Sequence, residues 1–365
     1  MKETYEFRIL PEHGRLVFGP DYEPVKNPKT GSAEFIAEGV VGDDLYHKVE
    51  HADRSFGEPS DPGLITGWSI KRAYSDEEVE RAQLFLIQLA YAEGAGEEFG
   101  TWYSRVAPNP DCTFERIKKA YGHGERDIIG CALSSRQIGP LCFPFRKMRK
   151  RSDIFATWAG EVIVSGRLAN LITRRGSTGG RLSTIWNTGV KPKSMPDFSE
   201  VPSGEELLTR ARAKGMDPTD KAFYSWIEEE EQLPLLNKAL FERMELKQLH
   251  RSAESPGESY SQLTVQSMPI AVSSETVIGS KPFRPGYGYS CKCSFGEVRG
   301  RMLISPLTII RSSWDGSDIC ASDAYVGGRA GLFRPSRLLA ISKRLFDAMK
   351  QEGMKGFHFE IVEMV

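Results

Sequence analysis

The sequence predicts an α+β protein containing two similar strand–strand–helix–strand units that arise from an internal duplication. Three observations lead there. "SGRLANLITRRGSTG" (165–179) aligns without a gap to "SKRLFDAMKQEGMKG" (342–356), with serine, arginine, leucine and two glycines at identical offsets. The blocks "IGPL" (138–141) and "SDIFA" (152–156) precede the first copy in the same order as "ISPL" (304–307) and "SDICA" (317–321) precede the second. Length differences between the copies fall in loop-like stretches, the largest being the insertion "YVGGRAGLFRP" in copy two.

Each element of the unit has a local reason. "EVIV" and "LLAI" are short apolar runs that suit buried strands. Ser165 and Ser342 stand where a hydroxyl accepts from a free amide of the first helical turn. Leu168, Leu171 and Ile172 share one helical face, as do Leu345, Ala348 and Met349. Gly176 and Gly353 fall where the chain needs a left-handed residue to end each helix. "RLSTI" and "FHFEIV" then alternate as strands. Two such units are expected to pack about a pseudo-twofold axis.

Around the units we expect a mixed α/β region over 1–125, unit one over 126–190, a helical connector over 191–285 and unit two over 286–365. At 365 residues the chain is long for a single core. "YEFRIL" and "RLVFG", split by "PEHG", read as a hairpin-like start. Residues 21–62 read as an irregular stretch or a set of short strands. "SDEEVERAQLFLIQLAYAEG" reads as one helix, with Ser75 and Glu78 as a capping box and Gly94 as its stop. "CTFERIKKAYG" (112–122) reads as a second helix. In the connector, Ser203, Glu206 and Gly215 frame another, two further stretches continue in helical period, and "SQLTVQSMPIAVSSETVIG" offers strands.

The charge balance of −1 gives no argument for a polyanionic partner, so nucleic acid is not expected as one. No apolar segment approaches the ~20 residues that cross a bilayer, and the amino terminus lacks a secretory apolar run. Six cysteines fall below the density of a disulfide scaffold. We therefore expect a cytoplasmic location with reduced thiols and no membrane contact.

"SDIFATWAGEVIVSGRLANLITRRGSTGGRL" resembles the carboxy-terminal signature of bacterial immunity-type proteins encoded beside polymorphic toxins, including the swarm-exclusion immunity proteins with paired CXXCG motifs. In that family an aspartate–aromatic turn leads to a strand, a Ser-x-Arg-like helix start and a glycine-x-x-glycine stop. The resemblance covers about 40 residues in each copy and implies a non-enzymatic protein that binds and neutralises a cognate toxin. This chain carries the signature twice and lacks CXXCG; the nearest match is "CKCSFG" at Cys291–Gly296.

Candidate chemistry is sparse. Cys291 and Cys293 could complete a four-thiolate zinc site with Cys131 and Cys142, but ten residues separate the latter two, outside the usual C-x₂₋₄-C pairing; no metal or other cofactor is expected. Asp153 and Asp318 recur in "SDI", where an aspartate commonly caps a turn. An enzyme of unfamiliar type, processing nucleic acid with Asp153 and Asp318 beside the basic run "RKMRKR" (146–151), is the alternative reading. "GSTGGR" and "VGGRAG" lack the lysine of a phosphate loop. The expected partner-binding residues are Tyr224 and Trp226 as aromatic anchors, with Glu228, Glu229, Glu230 and Glu231 as charges that steer a basic toxin face.

Overall fold

The computed structural model describes residues 1–21, 23–26, 33–57, 63–99, 101, 137, 141–185, 213–215, 260–285, 291–293, 296–300, 302–327 and 334–365. Strands and helices are both abundant, and the fold is α+β. Among the described residues no helix is long and apolar enough to cross a membrane.

The amino-terminal region is a four-stranded antiparallel sheet of order β2-β3-β1-β4, made from β1 (Lys2–Ile9), β2 (Val25–Lys26), β3 (Ala33–Val40) and β4 (Ile65–Ala73). Two helices cover it. The expected opening hairpin is instead β1 followed by α1 (Pro11–Phe18). Pro11 occupies the first helical turn, where its fixed φ and missing N–H cost nothing. Gly14 then lets the helix lie against the sheet, since a Cβ there would meet the Phe35 ring at 2.1 Å. Residues 21–62, expected to be irregular or made of short strands, also contain a helix, α2 (Asp44–Ser55). Asp43 caps it by accepting from the Tyr46 amide at 2.7 Å, and Val49 and Asp53, four apart, face inward.

The long helix expected from Ser75 to Gly94 breaks in two. The capping box forms, with the Glu78 amide donating to Ser75 at 3.2 Å and the Ser75 amide donating to the Glu78 carboxylate at 2.8 Å. Helix α3 then ends after Asp76–Arg81, and Leu84–Leu89 becomes strand β5. "LFLI" has no polar face to offer solvent. All four residues are buried, as a strand covered on both faces requires.

Unit one is a hairpin of β6 (Ile154–Ala156) and β7 (Val162–Ser165), then α4 (Gly166–Arg174) and β8 (Gly180–Thr184). Later in the chain come β9 (Tyr260–Val265), β10 (Ile278–Gly279), β11 (Cys291–Cys293), β12 (Gly296–Gly300), β13 (Met302–Leu303) and β14 (Thr308–Ile309). Unit two repeats the order of unit one as β15 (Ile319–Val326), β16 (Ser336–Ser342), α5 (Lys343–Gln351) and β17 (Phe357–Ile361); β18 (Glu363–Met364) follows.

Neither unit completes its own sheet. In unit one, β9 is inserted between β7 and β8, giving the order β6-β7-β9-β8. In unit two, β5 is inserted between β16 and β17, within the order β11-β12-β15-β16-β5-β17. The registers match: Tyr260 lies opposite Ser165 and Leu263 opposite Leu182, as Leu84 lies opposite Ser342 and Ile87 opposite Phe359. The strand that precedes each unit in the chain therefore sits in the other unit's sheet. After β5 the chain returns to unit one, where Ala92 donates to the Ala156 carbonyl at 2.8 Å. After β9 it returns to unit two, where Ile270 donates to Ala321 at 2.9 Å.

A hydroxyl clamp also recurs. Thr101 accepts from the Cys142 amide at 2.8 Å and donates to the Cys142 carbonyl at 3.3 Å. Thr276 does the same with Thr308, at 2.8 and 2.9 Å.

One core lies between the two sheets. The inward faces of both helices, Leu168, Leu171 and Ile172 with Leu345, Ala348 and Met349, meet Phe85, Ile87 and Leu263 there. Phe85 stacks on Phe346 with centroids 3.9 Å apart. Each sheet has a further core on its outer face, in which Phe155 and Ile163 of unit one take the places of Cys320 and Ala340 of unit two.

The segment 280–285 fastens the amino-terminal region to the rest. Phe283 enters the core around Phe7 and Tyr46. The Trp68 indole donates to the Ser280 carbonyl at 3.1 Å. Arg284 reaches Asp53 at 3.1 Å, both side chains being buried. Arg72, also buried, pairs with Glu360 of β17 at 2.9 Å.

Candidate functional site

Asp153 and Asp318 open the two hairpins and accept from matching sets of donors. Ser165, the cap of α4, accepts from the Leu168 amide at 3.3 Å and donates its hydroxyl proton to Asp153 at 2.7 Å. Ser342, the cap of α5, accepts from the Leu345 amide at 3.3 Å and donates to Asp318 at 2.6 Å. The second carboxylate oxygen of each is held by the other unit: the Lys355 amide donates to Asp153, and the Thr178 amide to Asp318, both at 2.9 Å. The expected local turn cap is thus a long-range clasp that ties the end of each helix to the start of the opposite hairpin.

Gly179 and Gly356 make the approach possible. Both have positive φ, +82° and +101°. A Cβ on Gly179 would lie 2.1 Å from the Ile319 carbonyl oxygen, and one on Gly356 would lie 2.7 Å from that of Ile154.

The clasps differ in their arginines. Arg344 grips Asp318 with Nε at 3.0 Å and a second contact through Nη2. Burial pushes the Asp318 carboxyl up, but the bonds from Arg344, Ser342 and Thr178 outweigh it and hold the pKa at about 2. Arg167 stands 3.9 Å from Asp153 and turns its Nη2 to the Glu352 carbonyl at 2.8 Å.

A cleft of about 790 Å³ lies over the unit-one clasp, lined by Lys150, Arg151, Asp153, Arg167, Asn170 and Lys355. Its floor includes Tyr260, which is 7% exposed and set edge-on to Phe145 at 5.6 Å. Only part of "RKMRKR" reaches the cleft. Phe145–Lys147 form a 3₁₀ turn, with the Lys147 ammonium over the Phe99 ring at 5.0 Å, and Met148 is buried. Lys150 and Arg151 remain exposed.

Tyr224, Trp226, Glu228, Glu229, Glu230 and Glu231 lie outside the described residues, as do Cys131 and the helix expected over 112–122. Cys142 and Cys320 are buried and not joined in a disulfide, and burial, with Asp315 nearby, pushes the Cys320 thiol up to about 12. Cys291 and Cys293 fall on β11. Among the described residues no group of His, Cys, Asp and Glu could hold a metal ion. The cleft residues Arg167, Asn170 and Lys355 were not singled out from the sequence. They come from distant segments, and the only signal was the basic run at its other rim.

Comparison of the chain with family models and with curated proteins finds no match.

Proposed function

We propose that the chain is an immunity-type protein that binds and neutralises a cognate bacterial protein toxin without catalysing a reaction. The observation that carries this reading is that both recurring aspartates serve as structural acceptors for the helix caps and the opposite unit. An enzymatic role would need Asp153 or Asp318 to meet substrate, yet Asp318 accepts from Ser342, Arg344 and Thr178, and Asp153 from Ser165 and Lys355. Asp318, satisfied in this way and held at about 2, is poorly suited to proton transfer near neutral pH. The signature that resembles the immunity-type family includes these aspartates, serines and glycines, so what is shared is a frame, and recognition falls to what differs around it.

The matched registers, clamps and clasps further support an origin by internal duplication, because reciprocal contacts of this kind are what two-fold related copies make. Within the connector, Tyr224 and Trp226 serve as anchors and Glu228–Glu231 as steering charges for a basic toxin face. The site of action is the cytoplasm, where a producing cell would meet its own toxin.

Co-expression with the protein encoded by the neighbouring gene tests the reading. Survival of cells that otherwise die, together with co-purification of the two proteins, is the expected result. Unrelieved killing by that protein in cells that accumulate the folded chain would refute it. Trp226→Ala is expected to weaken the complex mainly by speeding dissociation.

A further inference from the structure

We propose that the cleft over the unit-one clasp is a docking site for an acidic segment of a partner polypeptide. This deepens the reading of the chain as a protein binder and rests on it. The two units provide an internal control, because the same frame appears twice with different charges. At the positions of Lys150, Arg151, Asn170 and Lys355 in unit one, unit two has Asp315, Gly316, Asp347 and Thr178. Unit one therefore presents Lys150, Arg151, Arg167 and Lys355 around the single carboxylate of Asp153. Unit two sets Lys343 and Arg344 among Asp315, Asp318 and Asp347, and its cations are paired: Arg344 with Asp318, and Lys343 with Asp347 at 2.6 Å. The frame folds with either pattern, so it does not require the cations of unit one.

Nor do those cations stabilise one another's surroundings. The side chains of Lys150, Arg151 and Lys355 have no carboxylate partner among the described residues. Four cations around one carboxylate leave an excess of positive charge, an arrangement relieved when an anion enters. A polypeptide suits the cleft better than a nucleic acid. Binding of single strands relies on aromatic faces that stack bases, and the aromatic residue here, Tyr260, is buried with its ring against Phe145. Asn170 adds an amide able to bond a carboxylate or a peptide group.

Fluorescence anisotropy with the full chain tests this, using a labelled hexaglutamate peptide, a hexathymidylate of similar charge, and inorganic phosphate as competitor, at about 50 mM salt, where exposed charges are weakly screened. The peptide is expected to bind more tightly than the oligonucleotide and to weaken as salt rises. Lys150→Glu/Arg151→Glu is expected to reduce its affinity at least tenfold, whereas the charge-matched control Lys48→Glu/Lys71→Glu leaves it unchanged. Lys355→Glu, at the opposite rim, is expected to weaken the peptide as well. Tighter binding of hexathymidylate, equal affinity in wild type and the Lys150/Arg151 variant, or full displacement of the peptide by equimolar phosphate would each overturn the proposal. The peptide assay contains no toxin. Its failure would leave the immunity reading standing, and a toxin that is not neutralised would leave the cleft's preference standing.

Discussion

The backbone amide of Lys355 donates to the carboxylate of Asp153 at 2.9 Å, joining residues 202 positions apart in the chain. Thr178 repeats the bond to Asp318 at the same distance. Each aspartate thereby fastens its own helix cap and the other unit's helix exit, so the two clasps act on the packing of both units together.

The Asp318 clasp gives stability a particular pH dependence. Its carboxyl is held below the ordinary value of 3.8, at about 2, so its contribution is fully present above pH ~4 and is lost as pH falls from there towards 2. About 2 kcal/mol is at stake at neutral pH. Asp318→Asn is expected to be less stable than wild type at pH 7 and to show a shallower decline between pH 4 and 2. Denaturant titrations across that range measure both, and parallel curves for the two proteins would contradict the assignment.

Gly179→Ala and Gly356→Ala are each expected to destabilise by about 2 kcal/mol or more, because a left-handed backbone and a collision with a carbonyl act together. Gly316→Ala is the control. Its φ is +84°, but a Cβ there meets nothing within 4 Å, so it should cost only about 1 kcal/mol. Thermal unfolding of the three variants checks the ordering.

Asp53 and Arg284 form a buried pair that holds 280–285 against the amino-terminal core. Asp53→Ala takes the carboxylate away from the buried Arg284 guanidinium and is expected to cost about 3–5 kcal/mol. Asp53→Leu/Arg284→Met removes both charges and should recover most of that loss. A double variant no more stable than Asp53→Ala would show that packing, and not the lost charge pair, sets the cost.

Strand exchange predicts how the chain behaves when cut. A protease site engineered between 216 and 259 and cleaved after folding separates β5 and unit one from β9 and unit two. The pieces should still elute together under native conditions, because β5 remains within the sheet of unit two and β9 within that of unit one. Separation without denaturant would mean that the exchanged strands hold little.

What the sequence made legible was local. Ser165, Ser342, Gly176 and Gly353 act within one helical turn, and Ser75 with Glu78 likewise, so their spacing carried the information. Phe85 was placed on a helix because a short, wholly apolar run has no period of its own; burial on both faces decided for a strand. The exchange of β5 and β9 left no trace, since "LFLIQL" and "YSQLTV" occupy matching positions through backbone pairing while their side chains differ. Thr101 and Thr276 escaped notice for the same reason, being single hydroxyls in unlike surroundings. The basic run drew attention to Lys150 and Arg151, but only the fold brings Lys355 to them across more than two hundred residues.

The position of β9 also bears on how the molecule comes into being. A ribosome delivers β5 early and Tyr260–Val265 late, so the sheet of unit one lacks an inner strand until residue 265 has emerged, and β5 has no berth until unit two arrives. At about 5–20 residues per second, the wait of β5 for its neighbour β16 lasts tens of seconds. During it "LFLIQL" is an apolar segment with unpaired backbone, a hazard for association with other nascent chains. The sheet of unit one can therefore close once β9 has emerged, whereas β5 stays unpaired until unit two follows.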